Sequence, residues 1–186
     1  MQSFDVFDTL IARKCIWPQT IFSLVEQRIA SPGFASLRIK AEAGLQGTEH
    51  TLEDIYRRLV SDCGVNRELA ERARAEELAA EMENVIPIAA QLQRVRDGDL
   101  LISDTPLPAE FLARLLERAG LRRTVSIWRS AGGKSGGETW RKLAATGLEF
   151  THYGDHPHSD GVAPRKHGIR AEVTAVAAPT ETEQFL

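Results

Sequence analysis

The order of apolar segments along the chain restricts its fold more than any other feature of the sequence. A short apolar segment at residues 3–7 is followed by about 80 residues with helical periodicity. Apolar runs of strand length then alternate with helical stripes, the runs lying at 99–104, 124–128, 150–153 and 171–176. This order predicts an α/β protein with a parallel sheet and a helical insertion after the first strand.

The helical stretch carries recognisable start and stop signals. Pro18 suits a first helical turn, and Thr51 followed by Glu53 and Asp54 has the pattern of an N-cap with first-turn acids. Helices are predicted from Pro18, over 34–45, from Thr51, over 66–84 and over 88–96. In the later part of the chain, helices are predicted at 111–119, 135–145 and 158–167.

Composition excludes several classes of protein. The 186 residues are 42% hydrophobic and 26% charged, with a formal net charge of −3, so no basic surface for nucleic acid is indicated. No apolar run approaches the roughly 18 residues of a membrane span, and Asp5 and Asp8 interrupt what would be a signal peptide. Cys15 and Cys63 form no CxxC motif and are expected to be buried, so a reduced, cytoplasmic protein is predicted.

Polar residues occur where the predicted strands end. Asp5 follows the first strand, Ser103 ends the second, and Asp155 follows the fourth, with Asp160 five residues later. Lys134 precedes a predicted helix. Because parallel strands present their carboxyl ends at one edge, these side chains are expected to converge. A carboxylate nucleophile, a hydroxyl, a lysine and further carboxylates for a metal are what phosphoryl transfer through an aspartyl-phosphate requires.

In this order the segments resemble the four motifs of the haloacid dehalogenase superfamily. FDVFDTL is similar to the first motif, LLISD to the second, Lys134 to the third and GDHPHSD to the fourth. The resemblance implies a Rossmannoid parallel sheet at residues 1–14 and 97–186, with an α-helical cap at 15–96. A closer resemblance is to a bacterial subgroup of this superfamily, and it depends on three segments: FDVFDTLIARK, ISDTPLP and GDHPHSD. Domains of this subgroup occur alone or joined to glycosyltransferases of surface-polysaccharide pathways.

The resemblance also implies a role for each matching residue. Asp5 would be the nucleophile, and Ser103 and Lys134 would hold the transferring group. Asp155, with Asp160, would bind Mg²⁺ together with Asp5, and the backbone carbonyl of Phe7 would complete the metal shell. The implied activity is Mg²⁺-dependent hydrolysis of a small phosphorylated metabolite, with a glycosyltransferase as a candidate partner.

The chain departs from the phosphatase pattern two residues after the nucleophile, where phosphatases of the family carry a general-acid aspartate. Phe7 occupies that position, and Asp8 comes one residue later. On a regular strand residues 5 and 7 share a face, so Asp8 can act as the acid only if the chain has left strand geometry. Two alternatives follow. One is a catalytically weak module that binds a phosphosugar or a partner enzyme, and the other is a metal-independent haloacid dehalogenase, in which an aromatic residue also occurs at this position.

Some of these residues have simpler interpretations. Ser103 and Asp104 would also serve to cap the helix that follows Pro106. The glycines around Lys134 suggest a nucleotide-binding loop, but Trp128 stands where GxxxxGK[ST] needs glycine. They are expected to let the backbone bring Lys134 close to a ligand, or to form a loose turn.

Further polar residues have two interpretations each. One group of polar residues consists of three histidines: His152, His156 and His158. They would either form a transition-metal site or face the solvent or the substrate. The helical stretch also contains three cations: Arg13, Lys14 and Arg38. Each would either lie on the surface or contact an anionic substrate.

Overall fold

The computed structural model describes residues 1–15 and 17–174. They divide into two compact units: Met1–Ala12 together with residues 86–174 form the first, and Arg13–Val85 form the second. The last two residues of the strand predicted at 171–176, and the tail after them, lie outside the described residues.

The described residues contain strands, α-helices and one π-helix. The strands are β1 (Gln2–Phe4), β2 (Ile11–Arg13), β3 (Val85–Pro87), β4 (Leu100–Asp104), β5 (Ser126–Ser130), β6 (Thr151–Gly154) and β7 (Arg170–Val173). The α-helices are α1 (Thr20–Ile29), α2 (Phe34–Ala43), α3 (Leu52–Ser61), α4 (Arg67–Asn84), α5 (Ala89–Leu92), α6 (Ala109–Arg118), α7 (Glu138–Ala144) and α8 (Ala163–Lys166). The π-helix spans Pro157–Val162.

The first unit is built on a five-stranded sheet in which every strand pair is parallel, with the order β5-β4-β1-β6-β7. From the central strand β1, the chain adds β4 and then β5 on one side of the sheet. It then crosses back and adds β6 and β7 on the other side of β1. In such sheets a crevice forms outside the carboxyl ends of the two strands where the direction changes. The predicted α/β class and parallel sheet are confirmed, and the crevice lies at the ends of β1 and β6.

The first strand is shorter than predicted. It ends at Phe4 rather than Phe7, because the backbone N–H groups of Leu10 and Ile11 both donate to the carbonyl of Val6 and turn the chain. The helix predicted at 88–96 is reduced to α5, and β5 begins two residues later than predicted. β2 and β3 were not predicted, since three residues are too few to show a period.

A hydrophobic cluster fixes the segments that follow β5 and β6. Trp140 of α7 is fully buried among Leu100, Ile102 and Phe150, and its indole N–H donates to the carbonyl of Ser159 at 3.0 Å. A large side chain in such a core resists displacement because neighbouring groups surround it closely. Trp140 therefore ties α7 to the π-helix, which carries Asp160.

The second unit consists of α1 to α4. In α1 the buried residues Ile21, Val25 and Ile29 recur at four-residue spacing, as predicted. The predicted start of α3 is confirmed: Thr51 and Asp54 form a reciprocal capping box. Asn66 caps α4 by accepting from two backbone N–H groups.

A buried ion pair crosses the second unit from α2 to α4. The guanidinium of Arg38 donates to both oxygens of Glu77 at 2.8 Å, and the Tyr56 hydroxyl donates to Glu77 at 2.6 Å. Arg38 also contacts Glu42 at 2.7 Å and is only 1% exposed. The expected surface position of Arg38 is therefore wrong, because Glu77, distant in sequence, and Glu42, one turn along the same helix, neutralise its charge inside the unit.

The Glu77→Gln substitution is expected to lower the free energy of unfolding by roughly 3 kcal/mol or more, because it leaves the buried Arg38 charge without its main partner. The matched control is Glu42→Gln, since Glu42 pairs with the same guanidinium but is one-third exposed. It is expected to cost less than about 1 kcal/mol. Urea unfolding of both variants measures the difference, and equal costs would contradict this interpretation.

Two further cations of this unit, Arg13 and Lys14, also find partners within it. Arg13 forms a two-pronged contact with Glu81 at 2.8 and 2.9 Å, and the Lys14 ammonium donates to the carbonyl of Glu83. The two cysteines, expected to be buried, are half-buried thiols. None of the described helices has the length and apolar character needed to cross a membrane.

Candidate functional site

Asp5 stands at the point where β1 ends. Its backbone N–H donates to the carbonyl of Tyr153 at 2.8 Å, which extends the pairing with β6 by one residue. The chain then turns sharply, and Asp8 adopts a left-handed conformation with φ of 58°. This conformation is uncommon for a residue other than glycine, although Asp and Asn adopt it more readily than most. The turn leaves the Asp5 side chain buried and Asp8 exposed.

Lys134 lies in the glycine-rich loop between β5 and α7 and is 2% exposed. The loop folds back on itself, because Thr139 N–H donates to the carbonyl of Gly133 and Gly137 N–H donates to that of Lys134. A Cβ on Gly133 would lie 2.6 Å from the Thr139 hydroxyl oxygen, so this position has no room for a side chain. The glycines thus allow the loop to bring a long cationic side chain into the interior.

Asp155 and Asp160 follow β6, and the π-helix places the second of them. π-Helices are rare and occur often at functional sites. Asp160 packs so closely on the end of β6 that a Cβ on Gly154 would lie 2.4 Å from its carboxyl carbon. The backbone N–H of His156 donates to Asp160 Oδ2 at 3.0 Å. Asp160 is thereby turned back toward the carboxyl end of the sheet.

These segments bring four predicted residues together. Lys134 Nζ lies 2.5 Å from Asp5 Oδ1 and 2.5 Å from Asp160 Oδ1. The carboxylates of Asp5, Asp155 and Asp160 each offer an oxygen atom, and these three atoms lie within 4.8 Å of one another. The prediction that these side chains converge is thus confirmed for four residues: Asp5, Lys134, Asp155 and Asp160.

Three carboxylates face one ammonium in this cluster, and the pKa values reflect that imbalance. Burial raises the pKa of Asp5 to about 7, against the opposing effect of Lys134. Burial, Asp160 and Asp8 raise the pKa of Asp155. Burial would raise the pKa of Asp160, but its contacts with His152 and Lys134 hold it below the usual range. The carboxylates thus carry more negative charge than Lys134 neutralises, and a bound cation would relieve this.

The cluster offers ligands suited to a divalent cation. In an octahedral site with oxygens at about 2.0–2.1 Å, opposite ligand atoms lie about 4.2 Å apart. The spacing of the three aspartate oxygens therefore requires only small side-chain movements to approach this geometry. Carboxylate oxygens are the ligands that hard cations such as Mg²⁺ and Ca²⁺ prefer.

The remaining predicted residues lie around this cluster. Ser103 is 1% exposed in β4 and follows Ile102, whose carbonyl lies 3.4 Å from Lys134 Nζ. Phe7 is half-buried and forms a β-bridge with Ile11. Asp8 has left strand geometry, which is the condition under which it can face the same space as Asp5.

The helix-capping interpretation of Asp104 is corrected. Asp104 accepts a hydrogen bond from the Ser130 hydroxyl at 2.8 Å instead of capping a helix, and α6 begins only at Ala109 after Pro108. Asp104 thus links β4 to β5, its partner in the sheet.

The three histidines do not form a metal site with one another. His152 is fully buried, while the His156 ring accepts from the backbone N–H groups of His158 and Ser159 and caps the π-helix. The His158 ring lies 3.3 Å from the carbonyl of Ser135. Their roles differ because β6 ends between the first histidine and the other two.

The sequence indicated no role for Thr9, and it suggested other roles for His152 than the one the structure shows. The Thr9 hydroxyl lies 3.4 Å from both Asp5 Oδ2 and Asp155 Oδ1, so it bridges the two carboxylates. His152 Nε2 lies 3.1 Å from Asp160 Oδ1. The only sequence signal for Thr9 is its place four residues after Asp5, and the position of His152 depends on how β6 pairs with β1.

Neither the scan of protein-family models nor the search of curated proteins matches this chain. Chemical interpretation therefore depends on the geometry of the site. A buried carboxylate held by a lysine, beside two further carboxylates at the carboxyl edge of a parallel sheet, provides a nucleophile and a cation site together.

Proposed function

We propose that the chain is a Mg²⁺-dependent hydrolase that removes phosphate from a small phosphorylated metabolite through an aspartyl-phosphate on Asp5. The observation that carries the proposal is the arrangement of Asp5 itself. One of its oxygens is held by Lys134, and the other lies next to Thr9, which also contacts Asp155. The resemblance of FDVFDTL, LLISD, Lys134 and GDHPHSD to the haloacid dehalogenase superfamily supports the same assignment. The helical unit Arg13–Val85 then corresponds to the cap.

The Asp5 carboxylate is suited to nucleophilic attack on phosphorus. Lys134 fixes the rotation of the side chain, so one oxygen stays anchored while the other lies 3.4 Å from the Thr9 hydroxyl. Holding a nucleophile in a productive orientation lowers the barrier because less rotational freedom is lost during the reaction. The low solvent exposure also strengthens electrostatic interactions with an incoming phosphate.

Asp5, Asp155 and Asp160 would hold Mg²⁺, with the Phe7 carbonyl as a further proposed ligand. Bound Mg²⁺ would neutralise charge on the phosphoryl oxygens and keep Asp5 ionised. In the proposed role Lys134 and Ser103 contact the transferring group, and Lys134 supplies positive charge from within the protein.

The proposed reaction has two steps. An Asp5 oxygen bonds to phosphorus as the bond from phosphorus to the leaving oxygen breaks, and that oxygen takes a proton from Asp8 or from water. Water then attacks phosphorus, giving up a proton to the same base, and the bond between Asp5 and phosphorus breaks to release inorganic phosphate. Atoms and charge balance over the two steps, and Asp5 returns to its carboxylate form.

Phosphate release from an aryl phosphate, with and without Mg²⁺, tests the proposal. An aryl leaving group hardly needs protonation, so the phenylalanine at position 7 does not mask the activity. Release that requires Mg²⁺ is the expected result. A chain that binds Mg²⁺ but releases no phosphate would favour the binding module instead. Release of halide from a chloroacid in the presence of chelator would favour the metal-independent dehalogenase.

The Asp8→Asn substitution is expected to separate two classes of substrate. Loss of a general acid should lower kcat on alkyl phosphates by roughly 10²- to 10⁴-fold, while aryl phosphates lose little. Asparagine tolerates the left-handed conformation of residue 8, so the backbone turn should survive the change. Steady-state rates on one alkyl and one aryl phosphate measure the effect.

The opposite pattern, equal loss on both substrates, would assign Asp8 a role other than proton donor. Unchanged rates on both would leave water as the acid. Urea unfolding of the Asp8→Asn variant checks that the substitution leaves the stability of the fold unchanged.

A further inference from the structure

A chain of buried side chains lies behind the carboxylate cluster. The Ser3 hydroxyl lies 2.9 Å from His152 Nδ1, and His152 Nε2 lies 3.1 Å from Asp160 Oδ1. Asp160 Oδ1 in turn contacts Lys134. Ser3 and His152 are 0% exposed and Asp160 is 1% exposed. The chain therefore leads from the interior of the sheet to Asp5 without contact with solvent at its inner end.

The fold fixes the inner end of this chain. Ser3 in β1 and His152 in β6 are direct partners in the parallel register of the two strands. The Trp140 ring meets the His152 ring edge to face, with the ring centres 4.6 Å apart. The imidazole is thus held by strand pairing on one side and by a fully buried indole on the other.

Hydrogen-bond chemistry selects one tautomer of His152. An ionised Asp160 only accepts hydrogen bonds, so the imidazole proton belongs on Nε2. With that proton on Nε2, Nδ1 is free to accept from the Ser3 hydroxyl, which lies 2.9 Å away. Every polar atom of the chain then has a partner of the right kind.

Asp160 consequently has three donors. Oδ1 accepts from His152 and Lys134, and Oδ2 accepts from the backbone N–H of His156. Without His152, the carboxylate would keep one donor on each oxygen and would be freer to rotate. Because Lys134 contacts Asp160 and Asp5 at the same distance, rotation of Asp160 would also displace Lys134 from Asp5.

We propose that His152, oriented by Ser3, is a positioning residue that holds the Asp160 carboxylate and through it keeps Lys134 against Asp5. The Ser3–His152–Asp160 series has the residue types of a hydrolytic triad. Its complete burial excludes attack by Ser3 on a substrate, so its role is orientation. The kinetic part of this proposal rests on the proposed phosphatase function, whereas the hydrogen-bond chain does not.

Two measurements test the chain without reference to activity. Long-range ¹H–¹⁵N spectra of the native protein should show His152 protonated on Nε2, and protonation on Nδ1 alone would overturn the proposal. The urea midpoints of His152→Leu, Lys134→Met and the double variant should be non-additive, since the two side chains share Asp160. Additive shifts would overturn the proposal. Ser3→Ala replaces His152→Leu in this comparison if the leucine variant does not fold.

The kinetic test uses a conservative variant as its control. His152→Leu should lower kcat for an aryl phosphate by about 10- to 100-fold with little change in KM, the scale seen for groups that orient catalytic ligands. His152→Gln, which keeps an N–H donor toward Asp160, should recover to within about threefold of the native value. A glutamine variant as slow as the leucine variant, at similar stability, would overturn the positioning role. If the native chain releases no phosphate, the proposed function fails, and the tautomer and the urea midpoints decide the positioning role alone.

Discussion

Asp5→Asn is expected to abolish Mg²⁺-dependent phosphate release from an aryl phosphate, lowering kcat by at least roughly 10³-fold, since removal of a covalent nucleophile acts on this scale in hydrolases. The amide has the shape of the carboxylate and keeps an oxygen that accepts from Lys134, so the surrounding structure should persist. An amide is, however, too weak a nucleophile to attack phosphorus. Initial rates measured over a range of Mg²⁺ concentrations give the effect.

The matched control for this substitution is Asp97→Asn. Asp97 is also an aspartate of the first unit, but it is well exposed and pairs with Arg123 at 3.8 Å. Asparagine at this position still accepts from the backbone N–H of Thr124, so the native rate is expected. Undiminished release by Asp5→Asn would contradict an aspartyl-phosphate on Asp5 and would point to direct attack by water.

The sheet and most of the cluster were predictable because they depend on local patterns. Apolar runs of strand length in alternation with helical stripes indicate a parallel sheet whichever residues fill the core. Once the strand ends are located, the rule that parallel strands share a carboxyl edge brings Asp5 and Asp155 together. Lys134 was expected to join them because it precedes a helix in the same alternation, and the family resemblance supplied its role.

Residues whose positions depend on register or on distant partners were not predictable. His152 reads as one of three similar histidines until its pairing opposite Ser3 places it behind Asp160. Arg38 has the appearance of a surface residue, because its main partner Glu77 lies 39 residues further along the chain. The π-helix that turns Asp160 inward has no period of its own in the sequence. In each case the deciding contact joins segments whose separation the sequence pattern does not reveal.

Lys134→Met is expected to lower the free energy of unfolding by about 3–5 kcal/mol at pH 8 in the presence of chelator. The substitution removes the only ammonium in contact with Asp5 and Asp160 among the described residues and leaves two buried carboxylates without their counter-charge. Lys142→Met is the matched control, because Lys142 lies in the neighbouring helix, is half exposed and pairs with Glu138 at 3.5 Å. It should cost less than about 1 kcal/mol.

The pH dependence of this loss follows from the pKa of Asp5. In the folded protein that pKa is about 7, above the usual value of 3.8, so the folded state binds a proton more tightly than the unfolded state. The contribution of Asp5 to stability therefore falls as the pH rises from about 4 to 7. Removal of Lys134 raises the pKa of Asp5 further, because the ammonium favours the ionised carboxyl, and the fall becomes steeper and extends to higher pH. The cost of Lys134→Met should thus be clearly smaller at pH 5 than at pH 8 in urea unfolding. An equal cost at both pH values would mean that Lys134 stabilises the fold through packing of its alkyl chain rather than by neutralising Asp5 and Asp160.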